Sequence, residues 1–272
     1  MDSLTLNEGL IRLLFFLAFI IIFMIYEQFF PFYKRSSKFF SRWIVNFLFV
    51  AIDTLALRIF FPILAVGMAY LCEERGLGIL NNLSFPFWVS LFISILLLDL
   101  GIWFQHFLFH KYNIFWRFHK IHHSDEELDF STGVRFHPVE ILISMVFKFI
   151  YILIIGPSAL MIIIFEIILN GSSIFNHSNI IIPRRFELFL RKLIVTPSMH
   201  RIHHSIEEKE TNSNFGFNLS IWDRIFGTYK EEALKSQPEI VIGIDTFRSP
   251  NELTFYNLLI MPKKYGKLTY VT

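Results

Sequence analysis

The sequence predicts an all-α integral-membrane helical bundle with about four spanning helices or helical hairpins and a polar, histidine-rich cap. Three observations predict it. The mean hydropathy of +0.50, with 54% hydrophobic and 18% charged residues, is too apolar for an ordinary soluble domain. The apolar residues, 34 Phe among them, fall in long runs rather than in the alternation of a membrane β-barrel. All ten histidines lie between positions 106 and 204, in the polar stretches that interrupt or follow those runs.

The first run, Gly9 to Phe32, exceeds the roughly 20 residues needed to cross the hydrocarbon core and reads as a spanning helix. A cleavable leader needs a basic start, whereas Met1 to Gly9 holds Asp2 and Glu8 and no Lys or Arg, so this segment is expected to be retained. Runs from Trp43 to Leu71, containing Asp53 and Arg58, and from Phe85 to His106, containing Asp99, are the next two spans. The loop between the first two carries Lys34, Arg35, Lys38 and Arg42, while the following loop carries Glu73, Glu74 and Arg75. Basic loops stay on the inner side, so the first loop is expected in the cytoplasm, the N-terminus outside and the third helix ending inside. Val139 to Asn170 is apolar but broken by Gly156-Pro157, which fits a hairpin that returns the chain to the same side. Residues from about Pro183 onward are polar enough for a cytoplasmic cap. The resulting division is 1–84 for the N-terminal membrane helices, 85–230 for the catalytic domain and 231–272 for a C-terminal tail.

Composition also excludes. A formal net charge of +2 with scattered basic residues gives no footprint for nucleic acid. The single cysteine, Cys72, rules out an intrachain disulfide and any cysteine-built zinc or iron–sulfur site. Metal chemistry here must rest on imidazole or carboxylate.

Eight histidines form three clusters: His106 and His110, then His119, His122 and His123, then His200, His203 and His204. Residues three or four apart share one helix face, so each cluster aims two or three imidazoles at a common centre. Neutral imidazoles crowded together need many partners and repel when protonated; metal ions remove both difficulties. Eight or more ligands exceed one four-coordinate zinc, whereas four or five on each of two iron ions leave positions for O₂ or water. Copper and zinc bind imidazole tightly enough to stand in for iron.

The order H-x-x-x-H, H-x-x-H-H, H-x-x-H-H between membrane helices resembles the fatty acid hydroxylase/sterol desaturase superfamily. The likeness runs from about Phe85 to Tyr229, through DLGIWFQHFLFH, FWRFHKIHHSDEELDFSTGVRFHPVE, FNHSN, TPSMHRIHHS and NSNFGFNLSIWDRIFGTY, and is similar to the bacterial sterol desaturase branch. The resemblance implies a non-haem di-iron oxygenase that hydroxylates or desaturates a sterol, fatty acyl or alkyl lipid. It implies a ninth ligand, matched by His177, and a supporting role near the metals for His137 with Arg135 and Glu140. It also implies that Asn214 holds a metal-bound water or shapes the pocket. The histidine spacing is shorter than in some fatty-acyl 2-hydroxylases, which argues against that particular substrate.

Asp99, seven residues before His106 in an apolar run, is placed either to accept a second ring N–H from a ligand histidine or to pair with Arg58 or Lys148. In LSIWDRIFGTY, Trp222 and Phe226 are expected to pack under the metal site, with Asp223 and Arg224 paired. O₂ is the expected co-substrate and the bilayer the source of substrate. Electrons must come from a ferredoxin, a cytochrome b₅-like protein or a reductase, because the chain has no haem-binding segment, flavin fingerprint or cysteine cluster. The rival classes are a membrane haem electron carrier, a metal transporter and a two-metal hydrolase. The first predicts isolated histidines deep in the bilayer, the second a ligand path across it, and the third carboxylate bridges.

Overall fold

The computed structural model describes residues 7–264; Asp2, used above in reading the N-terminus, and the last residues of the expected tail lie outside them. Among the described residues there are helices, turns and isolated bridges but no named strands. Five helical segments are long and apolar enough to cross a membrane, so the chain is a multi-pass membrane protein.

Helix α1 (Glu8–Phe29) runs towards the cap, which Pro31 joins through a bridge to Ile180. Helix α2 (Phe39–Phe60) leaves from the cap, where Arg42 meets Asp125. The apolar run expected as one helix is broken near Pro62, since proline cannot continue the backbone ladder. Helix α3 (Ala65–Arg75) resumes and ends at left-handed Gly76 (φ 63°). Helix α4 (Phe87–Lys111) returns to the cap and delivers its last two turns there. The short α5 (Asn113–His123) follows at once.

The apolar block broken by Gly156-Pro157 folds as two passes, α6 (Pro138–Ile155) out and α7 (Ala159–His177) back. Proline opens α6, where it sacrifices no hydrogen bond, and His137 caps it by accepting from Val139 N–H. Gly156 closes it at φ 71°, and Ser158 caps α7 through Met161 N–H. A Cβ on Gly78 would fall 2.4 Å from Gly156 Cα, so this corner closes only because two glycines meet.

Short helices complete the cap: α8 (Arg184–Leu190), α9 (Pro197–His203), α10 (Glu208–Thr211), α11 (Ile221–Ile225) and α12 (Phe255–Lys264). The segment after Tyr229 packs on the rest: Ser205 bridges to Ile242, and Ile244, Phe247, Leu258 and Met261 bury against Phe49, Trp116 and Ile121. Long exposed apolar side chains on α1, α2 and α4, such as Leu14, Ile22, Ile59 and Phe92, form the surface that a bilayer covers.

Candidate metal centre

Four helices and one helix end supply the imidazoles. His106 and His110 lie one turn apart at the end of α4, His119, His122 and His123 end α5, His177 ends α7, and α9 with its C-cap contributes His200, His203 and His204. Their ring nitrogens sort into two adjoining sets, His106, His110, His119, His123 and His203 in one, and His122, His177, His200 and His204 in the other. Within each set the candidate ligand atoms lie within 4.8 Å of one another, and all nine rings are buried. The sequence-predicted ligands, His177 included, therefore converge.

The hydrogen bonds decide what these rings present. His106 donates from Nδ1 to Phe215 O (2.9 Å), His119 to Glu140 Oε1 (2.7 Å) and His203 to Ser213 O (2.7 Å). In the second set, His122 donates to Arg135 O (3.2 Å) and His177 to Ser173 O (2.6 Å). A neutral imidazole with its proton on Nδ1 carries a lone pair on Nε2. Yet Nε2 of His106 faces Nε2 of His119 and of His203 at 3.1 Å, and Nε2 of His177 faces that of His122 at 3.0 Å. Neither atom of these pairs has a proton to share, so the contacts are not hydrogen bonds.

A cation between them converts mutual repulsion into ligation. Two imidazoles at right angles on a metal, each roughly 2.1 Å away, stand about 3 Å apart, which is the spacing found. Protonation is no alternative. Burial first, and neighbouring histidines second, hold His122, His123, His200, His203 and His204 well below the usual imidazole range, and burial takes His119 down to about 3. The donor set therefore fits metal ions and fits little else.

Surrounding residues fix the rings. Arg135, 2% exposed, lies against the end of α5, donating to Ile121 O (2.9 Å) and Ser124 Oγ (2.8 Å), while its own carbonyl orients His122. Asp125 binds Arg42 Nε and Nη2 at 2.7 and 2.8 Å, and Asp129 takes Arg42 Nη1 at 3.0 Å. Arg42 beside it holds the Asp125 carboxyl below the usual range against the opposing effect of burial. Gly133 lets this loop touch α7: a Cβ there would fall 2.6 Å from Ser173 O and 3.2 Å from His177 Nδ1.

The other residues singled out in the sequence sit one layer away from the rings. Glu140 holds His119, as above. His137 is the α6 cap, with Nε2 donating to Leu259 O at 3.1 Å, and belongs to neither histidine set. Asn214 adopts φ 52° and spends its side chain on backbone: Nδ2 donates to Met199 O and Lys230 O, and Oδ1 accepts Lys230 N–H. Asp99 accepts from Asn218 N and Nδ2, Leu219 N and Trp222 Nε1, none of them a histidine; Lys148 pairs with Glu166 instead. Asp223 does not pair with Arg224: it accepts from Trp103 Nε1, Phe215 N, Gly216 N and Thr228 Oγ1, while Arg224 lies over the Tyr229 ring. Trp222 is buried as expected, but Phe226 is 51% exposed, because its ring lies outside the cap against Trp103.

Sequence reasoning passed over three supports. Glu27, in the first apolar run, accepts Phe130 N–H and Asn179 N–H and so ties together the loops that follow His122–His123 and His177. Glu166 joins Arg12 to Lys148 between three helices. The available signal was a carboxylate inside an apolar span, which is costly unless partnered. The carbonyls of Ser213 and Phe215 carried no side-chain signal at all.

Below the first set a cavity of about 420 Å³ opens between α1, α2, α4, α6 and α7. His106, His119 and Glu140 form part of its wall, with Phe109, Phe217 and Met145. Fold and site together define a multi-pass helical membrane protein with two adjoining all-histidine metal-ligand sets, the first of which borders an intramembrane cavity. Residues 91–228 match the fatty acid hydroxylase family, and the chain belongs to it.

It is 31% identical over 175 residues to alkylglycerol monooxygenase of Homo sapiens, covering 63% of this chain and 36% of that protein. Ornithine lipid hydroxylase OlsE of Rhizobium tropici is 28% identical over 159 residues, 58% of this chain and 47% of that one. Alkylglycerol monooxygenase of Danio rerio is 31% identical over 159 residues, 57% and 34% respectively. The chain thus spans between about a third and a half of the length of these relatives. No solved structure matches it significantly.

Proposed function

We propose that this chain is an O₂-dependent lipid hydroxylase or desaturase, with one iron ion held by His106, His110, His119, His123 and His203 and a second by His122, His177, His200 and His204. The observation that carries this reading is an all-imidazole double site whose five-histidine set opens, through His106 and His119, onto a cavity inside the membrane bundle. An iron pair bound there supplies the O₂ chemistry needed to break an unactivated C–H bond. The protein's part is to position lipid and exclude water: Phe109, Phe136 and Phe217 wall the cavity beside His106 and His119.

Hydroxylation takes one C–H bond, one O₂, two electrons and two protons to an alcohol and water. A separate ferredoxin, cytochrome b₅-like protein or reductase supplies the electrons. The donor set favours an oxygenase over a two-metal hydrolase, because neither histidine set contains a bridging carboxylate among the described residues. The relatives' names, alkylglycerol monooxygenase and ornithine lipid hydroxylase, support a polar lipid as substrate class. The cap is assigned to the cytoplasm, since Lys34, Arg35, Lys38 and Arg42 lie at the cap end of the bundle, where Arg35 meets Glu27 and Arg42 meets Asp125.

Metal analysis of the purified protein, with O₂ uptake and product mass spectrometry across a panel of sterols, acyl lipids and alkylglycerols, tests the proposal. Two irons per chain and lipid-dependent O₂ uptake are expected. Lipid turnover that persists under strict anaerobiosis overturns it.

A further inference from the structure

The cavity under the five-histidine set is not uniformly apolar. Val50, Leu57, Ile102 and Met145 share its lining with Asp53, Gln105 and Glu140, which are only 7%, 8% and 3% exposed. Asp53 Oδ1, Gln105 Oε1 and Glu140 Oε2 have no hydrogen-bond partner among the described residues. Other atoms of two of these side chains are engaged: Glu140 Oε1 takes His119 Nδ1–H, and Gln105 Nε2 donates to Ser144 Oγ at 2.8 Å. Three helices therefore bring side chains with buried, unpartnered oxygens to the wall of one cavity. Buried acceptors without donors are costly, above all on carboxylates at membrane depth.

The complementary ligand brings hydrogen-bond donors. An anionic head is not called for, because the cations at the opposite end of the cavity are already paired, Lys148 with Glu166 at 2.6 Å and Arg12 with Glu8 and Glu166. Building on the lipid-oxidising reading above, we propose that the cavity takes a lipid head-inward, with hydroxyl or ammonium donors on Asp53, Gln105 and Glu140. The chain of that lipid lies along Leu57, Met145, Phe16 and Leu169. Glu140 bridges the two functions, one oxygen on a metal-ligand ring and the other on the lipid head. The carbon presented to the five-histidine set is then within a few bonds of the head and not in mid-chain.

The test reads binding without turnover, on the full chain in detergent, anaerobically and without reductant. Tritiated 1-O-hexadecylglycerol is competed by unlabelled 1-O-hexadecylglycerol, by its 2,3-di-O-methyl ether and by hexadecylamine in a scintillation proximity assay. The diol, the amine or both are expected to compete at least about tenfold better than the dimethyl ether, as hydrogen bonds to buried acceptors require. The stronger competitor identifies the head as hydroxyl or ammonium. Asp53→Leu is expected to abolish the preference while metal content stays unchanged. Equal competition by all three lipids on the unaltered protein overturns the proposal, and that comparison stands whether or not Asp53→Leu folds. Intact preference without O₂-dependent oxidation instead overturns the oxygenase reading alone.

Discussion

Replacing Asn214 with alanine is expected to strip one histidine set of its metal while sparing the other. Asn214 sits at φ 52° between two residues whose carbonyls do the orienting, Ser213 O for His203 and Phe215 O for His106. Both rings belong to the five-histidine set. Alanine removes three hydrogen bonds, to Met199 O, Lys230 O and from Lys230 N–H, each contributing roughly 1 kcal/mol. It also adds about 1 kcal/mol of left-handed strain, for a total near 4 kcal/mol. Glycine relieves the strain but not the lost bonds, so Asn214→Gly should fall roughly 3 kcal/mol below the natural protein. Loss of ring orientation at this remove weakens metal binding by about 10–100-fold. Metal release under increasing chelator, followed by mass spectrometry, should show one equivalent leaving early in Asn214→Ala and the second at its normal concentration. If both equivalents leave together, or neither shifts, the turn does not hold the set as argued.

Other perturbations probe other supports. Arg42→Met strands Asp125 and Asp129, which are 1% and 2% exposed, and should cost about 3–5 kcal/mol in detergent unfolding, with partial recovery when Asp125→Asn is added. Gly133→Ala forces a Cβ against Ser173 O and His177 Nδ1; about 1–3 kcal/mol of overpacking and early metal release from the four-histidine set are expected. Metal-free protein should lose stability on acidification. His119, depressed from 6.5 to about 3, binds fewer protons folded than unfolded, so its contribution is complete above 6.5 and is lost as pH falls towards 3, at about 1.4 kcal/mol per pH unit. Unfolding midpoints of the metal-free protein between pH 7.5 and 5.5 check this; a rise in stability on acidification contradicts it.

Legibility followed the range of the interaction. The spans were readable because lipid exposure demands unbroken apolar runs, and the turn between α6 and α7 was readable in Gly156-Pro157. The eight clustered histidines were readable because helical spacing is local. The ninth, His177, has no neighbouring histidine and entered only through the family likeness. The pairing of rings into five and four was not readable, since it joins α4, α5 and α9 across 97 residues between His106 and His203. The Arg42–Asp125 tie, 83 residues apart, was hidden for the same reason, and Arg42 was read simply as part of a basic loop.

Asp99 meets partners other than those its place in the sequence suggests. A carboxylate two turns before His106 invites the role of ring acceptor, but its oxygens take N–H groups of Asn218, Leu219 and Trp222 at 2.7–3.2 Å. It fastens the cap loop to α4, and Asp223 then fastens Phe215 and Gly216 behind it at 2.8 and 2.7 Å. The two acids form successive holds on the segment that orients His106. Asp99→Asn places an amide where one oxygen accepted about half of these bonds, leaving donors facing donors at roughly 1–3 kcal/mol each. The expected outcome is a lowered unfolding midpoint with two metals retained in the folded fraction. Asp223→Asn acts one step nearer His106 and should lose metal from the five-histidine set at matched stability. Metal loss from Asp99→Asn without any loss of stability would show that the carboxylate acts on the ring after all.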